Sequence, residues 1–321
     1  MATYTGLGAC LQIGEESTAG TAVTPTQKMP VMEISFREPS NIKPSEVLPT
    51  TNTTSPLASR FFLGSTSAEG KSVHQLGYHG IGMLLEAIMG SGSGTTGPSG
   101  GLYTHTYPLG KDQHAYTCEI VLGSSGNAEQ FAGCYVSAFE MVFEVDKEPM
   151  VELTWVGHKS EGSRTTATGS LTESTSVSYP LTWHALTALT WNAVTYKARK
   201  ITISGNRGMT PRHKLGTVRT PADILPDSMM ELSATVEFDY ETDTIWTGAR
   251  AETSSDLAFT FTSGSRTFTV TLHNSRVEEN EMSIASQGVI PYSYTFHPRP
   301  DSTDPGMSIV VVNTQSSAVA A

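Results

Sequence analysis

Cysteine is nearly missing from this chain. Cys10, Cys118 and Cys134 are three in 321 residues, too few and too unevenly spaced to frame a fold with disulfides. Charge is scarce too: Asp, Glu, Lys and Arg make up 16% of the residues, and 20 basic against 31 acidic side chains leave a net charge of −11. A surface of that sign repels phosphate, which argues against a protein that grips nucleic acid. No apolar stretch approaches the ~20 residues that cross a bilayer as a helix, and the best helical candidate, 81–89, is far shorter. Long Leu-, Lys- and Glu-rich tracts are missing, whereas Ser, Thr and Gly abound, so strands should outweigh helices. The opening residues carry no basic segment followed by an apolar one, so no secretion signal is predicted and the reading is a soluble intracellular product.

Catalytic signatures are absent as well. Gly70-Lys71-Ser72 resembles the end of a phosphate loop, but Gly64 leaves five intervening residues where four are needed. It also lies inside a strand run rather than at a strand-to-helix turn. The Gly/Ser run at 90–94 has no serine flanked at both two-residue positions by glycine, so it is no nucleophile elbow. The nine histidines are scattered, without a metal-binding helix motif or Cys/His zinc spacing. Carboxylates sit along strand faces and nominate no acid–base pair. The sequence therefore predicts no enzyme, no cofactor and no metal.

Period-two alternation predicts strands at 32–37, 60–76, 116–122, 134–145 and 150–156. Ile81, Leu84, Leu85 and Ile88 recur at helical spacing before Gly90, predicting a short helix within 78–90. The polar, Pro-containing segment 39–59 reads as an excursion from the sheet, 90–116 as a Gly/Ser-rich insertion beginning in a flexible loop, and 158–178 as a Ser/Thr-rich linker. The order then repeats: a strand at 197–204, an excursion at 206–227, a long strand at 230–240 and a weaker helix near 242–252. Strands follow at 257–261, 267–273, 276–284 and 289–297. The tail 299–321 is polar apart from 309–312, which would add an edge strand or stay mobile.

The second half reads as a worn copy of the first. At an offset of 141 residues, Val136, Glu140, Met141 and Thr154 recur as Val277, Glu281, Met282 and Thr295. Phe143, Val151, Leu153 and Trp155 likewise fall on Ile284, Tyr292, Tyr294 and Phe296. Earlier in the chain Ile34 matches Ile201 at 167, and Ser67-Ala68 matches Ser233-Ala234 at 166; the insertion 90–116 absorbs the change of offset. These observations predict a mainly β protein of two tandem β-sandwich or half-barrel domains, 1–157 and 179–298, each with one short flanking α-helix.

The segment Ile13-Gly14-Glu15-Glu16-Ser17-Thr18-Ala19-Gly20-Thr21-Ala22-Val23-Thr24-Pro25 opens the chain with an Ile-Gly-x-Glu, Gly-Thr-Ala, Pro pattern. With the strand, excursion, Gly-ended helix and terminal strand pair that follow, it resembles the major tail tube proteins of long-tailed (siphovirus-like) bacteriophages. The resemblance implies rings of six small β-sandwich domains whose inner strands join into one barrel, stacked into a tube that DNA traverses. A two-domain chain would build that ring from three copies. It also implies partners: the chain itself, the tape measure, tail terminator and distal tail proteins, and double-stranded DNA in transit without tight binding. No membrane is involved, and assembly would occur in the host bacterial cytoplasm before incorporation into the virion tail. A β-rich surface adhesin, a capsid-decoration protein and an undetected hydrolase are the alternatives.

Alternation also nominates residues. In 134–145, Tyr135, Phe139, Met141, Phe143 and Val145 share one face and leave Glu140 and Glu144 on the other, with Glu152 on the polar side of the next strand. In the second half Glu279 and Glu281 oppose Met282 and Ile284. With the apolar set in the core, these carboxylates face either the lumen or the exterior, and the lumen is the expectation. For ring-to-ring contacts the candidates are Lys43, Glu46 and Asn52 in the first excursion and Arg212, Lys214 and Arg219 in the second.

Overall fold

The computed structural model describes residues 9–44, 61–90, 92–122, 127–164, 171, 179–216, 218–239, 244–278 and 291–318. In the first half, β1 (Cys10–Glu15), β2 (Gln27–Pro30) and β3 (Glu33–Arg37) precede the short hairpin strands β4 (Ile42–Pro44) and β5 (Phe61–Leu63). Strand β6 (Ala68–Gln75) leads into helix α1 (Gly82–Met89). Then come β7 (Gly94–Ser99), β8 (Leu102–Pro108), β9 (Tyr116–Leu122), β10 (Asn127–Glu144), β11 (Met150–Gly157) and β12 (Lys159–Arg164). The second half holds β13 (Leu186–Trp191), β14 (Val194–Thr195), β15 (Ala198–Asn206), the hairpin β16 (Met209–Arg212) and β17 (Asp223–Pro226), and β18 (Glu231–Asp239). It closes with α2 (Thr244–Arg250), β19 (Ser255–Ser263), β20 (Arg266–Val277), β21 (Pro291–His297) and β22 (Met307–Asn313). The chain is mainly β, as its composition predicts.

A central antiparallel sheet runs in the order β3-β6-β11-β10-β15-β18-β21-β20. Two flanking sheets accompany it, β2-β1-β9-β10-β12 beside the first half and β14-β13-β19-β20-β22-β8-β7 beside the second. Strands β10 and β20 each serve two sheets: their first parts pair with β9 and β19, their last residues with β11 and β21. Bending one strand from sheet to sheet needs an irregularity. In β10 Gly133 supplies it, at φ 66, where an added Cβ would lie 2.5 Å from the His158 ring. No ladder among the described residues closes the central sheet on itself.

Registers repeat along this sheet. Tyr135↔Val156 and Val136↔Trp155 are followed 141 residues later by Arg276↔His297 and Val277↔Phe296. Ile34↔Ser72 corresponds to Ile201↔Val236, which keeps the offset of 167 between β3 and β15. Between β6 and β18 the pairing gives 164 instead of the predicted 166, because Gly70, not Ala68, stands opposite Trp155 as Ala234 stands opposite Phe296. The two-residue difference leaves every side chain on its own face.

Side chains between the sheets form the core. Phe36 lies 5.3 Å from Phe131 and 6.3 Å from Trp155, and Trp155 meets Tyr116 edge-on at 6.4 Å. In the second half Trp191 contacts Phe296, while Phe143 stacks on Phe261 at 5.0 Å. All three cysteines are buried.

Several local expectations change. A bulge between Val136 and Ala138 shifts the alternation, so Val136 is buried and Tyr135 is only half-buried, while Val145 at the strand end is exposed. The Gly/Ser insertion is not a flexible loop between 94 and 108: it forms β7 and β8, and β8 pairs with β22. Residues 307–313 of the tail are consequently an interior strand rather than an edge or a mobile segment. The start of the 158–178 segment pairs with β10 as β12.

Candidate assembly surface

One face of the central sheet packs the core, and the other carries the polar residues of every strand. Phe139, Met141, Phe143, Leu153 and Trp155 are buried, so the intervening Glu140, Glu144 and Glu152 lie together on the outer face. Glu140 stands opposite Glu152 on one side and Ser204 on the other. Lys71 reaches Glu152 at 2.9 Å, and that hydrogen bond raises the lysine above its usual pKa. Glu144 binds Lys147 at 2.7 Å, which draws its carboxyl below the usual range, and Lys200 lies 3.9 Å away. Glu140 makes no ion pair or hydrogen bond among the described residues.

Across this face Glu33, Glu69, Glu140, Glu144, Glu152, Glu231 and Glu237 are set against Arg37, Lys71, Lys200 and Arg276. Between the charges run hydroxyls, including Ser204 and Ser233 with oxygens 3.2 Å apart and Thr235 and Thr295 at 3.5 Å. The face is hydrophilic and carries a surplus of carboxylates. Glu279 and Glu281 lie outside the described residues.

The two halves meet through a ladder. β10 and β15 pair from Ala138↔Asn206 to Glu144↔Lys200, so within the central sheet β10 of the first half adjoins β15 of the second. Arg207 then crosses the junction. It is 6% exposed and donates to the carbonyls of Ile88 at 3.0 Å, Met89 at 2.7 Å and Gly110 at 3.0 Å. Ile88 and Met89 end α1, whose final carbonyls have no partner within the helix. Burial lowers the guanidinium to about 10, which still leaves it charged near neutral pH. At the far end of the sheet β3 pairs only with β6 among the described residues, leaving its second edge open.

The excursions take different positions. In the second, Arg212 binds Asp227 at 2.9 Å and Lys214 binds Asp223 at 2.7 Å, both within the excursion. Arg219 donates to the Gly64 carbonyl at 2.8 Å, and its own carbonyl accepts from the Thr66 amide at 3.0 Å, so the second excursion holds the first half. Lys43 is exposed on β4, while Glu46 and Asn52 lie outside the described residues. The sequence reading overlooked Arg207. A single arginine after a strand looks solvated, and its backbone partners leave no mark in a sequence.

Among the described residues no cluster of three or more His, Cys, Asp or Glu could hold a metal ion, and no helix is long and apolar enough to cross a membrane. No curated protein matches the chain. Compared with protein families, residues 6–306 match the family described as phage tail tube protein. A match over nearly the whole chain, on a mainly β fold with large antiparallel sheets, decides the assignment: the protein belongs to the phage tail tube family and is a structural protein of the tail tube.

Proposed function

We propose that three copies of this chain form a ring with pseudo-sixfold symmetry, and that rings stack into a hollow tube through which DNA leaves the virion. The observation that carries this reading is the β10–β15 ladder, an edge-to-edge join between the two halves of one chain. The strand order β3-β6-β11-β10 is followed by β15-β18-β21-β20 with matching registers, which supports two duplicated units, 1–157 and 179–298. A join of the same kind between the β20 end of one copy and the open β3 edge of the next propagates the sheet head to tail, and closure makes a ring. Six units per ring, as the family resemblance implies, require three chains. Native mass spectrometry and electron microscopy test this: rings of three chains support it, and rings of six chains or a persistent monomer overturn it.

In this reading Glu140, Glu144 and Glu152, with Glu279 and Glu281, line the lumen, where fixed negative charge keeps DNA from sticking. The excursions carrying Lys43, Glu46, Asn52, Arg212, Lys214 and Arg219 meet neighbouring subunits or rings. The tape measure, tail terminator and distal tail proteins are the remaining partners, assembly takes place in the host cytoplasm, and the subunit has no enzymatic role. Replacing Glu140 and Glu144 with lysine should leave tube formation intact and slow genome delivery in infection assays; unchanged delivery from normal tubes contradicts the lumen assignment.

A further inference from the structure

The hairpin β16–β17 is seated and the hairpin β4–β5 is not. Met209 and Ile224 are 6% and 4% exposed, and β16 lies against β10 and β11 of the first half. β4 follows β3 as β16 follows β15: Ile42 precedes Met209, and Pro44 precedes Pro211, by the same 167 residues that separate Ile34 from Ile201. Ile42 and Leu63 are cross-strand partners on one side of their hairpin, yet they are 56% and 58% exposed. Ile42, whose counterpart Met209 is buried, here faces solvent together with its cross-strand partner Leu63.

The second half offers a surface at the corresponding place. β16–β17 is held on the first half at Gly64 and Thr66; the same offset of 164 leads to Ser228 and Met230. A cleft of about 830 Å³ opens there, with Met229, Met230, Leu232, Pro298 and Pro300 in its lining. Met229 is 92% exposed. In the proposed ring β3 of the next copy stands beside β20, as β15 stands beside β10, so the hairpin after β3 reaches over this half.

We propose that the β4–β5 hairpin of one copy seats in the cleft between Met229 and Pro300 of its neighbour, with Ile42 and Leu63 filling it. The contact is a lateral clasp that repeats between chains what β16–β17 does within one chain. It rests on the ring reading and specifies which surfaces close the ring.

Two single-cysteine variants, Ile42→Cys and Met229→Cys, are mixed, assembled and oxidised; the native cysteines are buried and do not compete. A heterodimeric disulfide in assembled rings, missing from the unassembled mixture, is the expected result. Separately, Ile42→Asp and Met229→Asp should each raise the protein concentration needed for ring formation by about 10-fold or more, the cost of losing one buried apolar contact. Since both side chains are exposed in the single chain, its thermal midpoint should not change. Rings that form at the wild-type concentration with both aspartate variants and give no heterodisulfide overturn the clasp and leave the ring intact. If the unsubstituted protein forms no ring, both readings fall.

Discussion

Arg207 and His74 show how much of this fold depends on single buried polar side chains. Arg207→Met removes three hydrogen bonds; the carbonyls of Ile88 and Gly110 lose this donor, while that of Met89 keeps the Gly110 amide at 2.8 Å. A loss of about 3 kcal/mol is expected, measured by urea unfolding, and a loss under about 1 kcal/mol contradicts the capping role. His74 is part of a buried relay. Its Nδ1–H donates to the Pro30 carbonyl at 3.0 Å, so the neutral ring accepts at Nε2 from the Ser72 hydroxyl, also at 3.0 Å. Ser72 in turn accepts from Trp155 Nε1 at 2.8 Å. Burial pulls the imidazole from 6.5 down to about 4. The unfolded chain therefore binds a proton below pH 6.5 that the folded chain refuses until about pH 4. The stabilisation is complete above the first value and is lost as pH falls towards the second, amounting to at most about 3 kcal/mol. His74→Gln should flatten this acid slope in unfolding curves at pH 7 and pH 4.5; parallel slopes for variant and wild type would refute the assignment.

At the scale of elements, β7 and β8 contribute unequally. Every residue of β7 is exposed, whereas β8 covers β22, and its Tyr107 hydroxyl donates to the Ala318 carbonyl at 2.7 Å. Excising 94–99 should lower the thermal midpoint by no more than a few degrees. Excising 94–108 uncovers the strand bearing Ile309 and Val311 and should cause aggregation during heating; equal midpoints for the two deletions contradict this. Neither strand was legible in the sequence: Gly94–Ser99 carries no apolar alternation, and the side-chain bond from Thr95 to His105 leaves no mark in it. The bulge at Val136 was hidden for a related reason: one extra backbone residue reverses the alternation without changing its composition. By contrast, Ala234, Val236 and Phe238 announce β18 plainly, since each alternates with a polar neighbour and each is buried. The clustering of Glu140, Glu144 and Glu152 was legible on the same ground. Their partners Lys71 and Lys200 were not, since strand pairing brings those residues together from distant parts of the chain.

For the whole molecule, the outer face of the central sheet gathers seven glutamates against four basic groups, Arg276 included, on the described strands. In the proposed ring, closing three such faces around one channel would bring like charges together. Salt screens that repulsion over about 10 Å at 0.1 M. Raising ionic strength from low values should therefore lower the concentration at which rings form, and Glu140→Gln should do the same without added salt. Rings that dissociate as salt rises would point instead to attractive ion pairs at the joins.

The cap on α1 also sets a timetable. Arg207 is 118 residues beyond Met89, so at the usual 5–20 residues per second a ribosome delivers it roughly 6–24 s after the helix it completes. Tyr107 waits longer still, because its partner strand residue Ile309 is 202 positions away. During that interval the Thr-, Ser- and Gly-rich β7–β8 pair must stand uncovered beside other nascent chains. Its outer strand β7, exposed throughout and without a large apolar side chain, makes it a poor template for them.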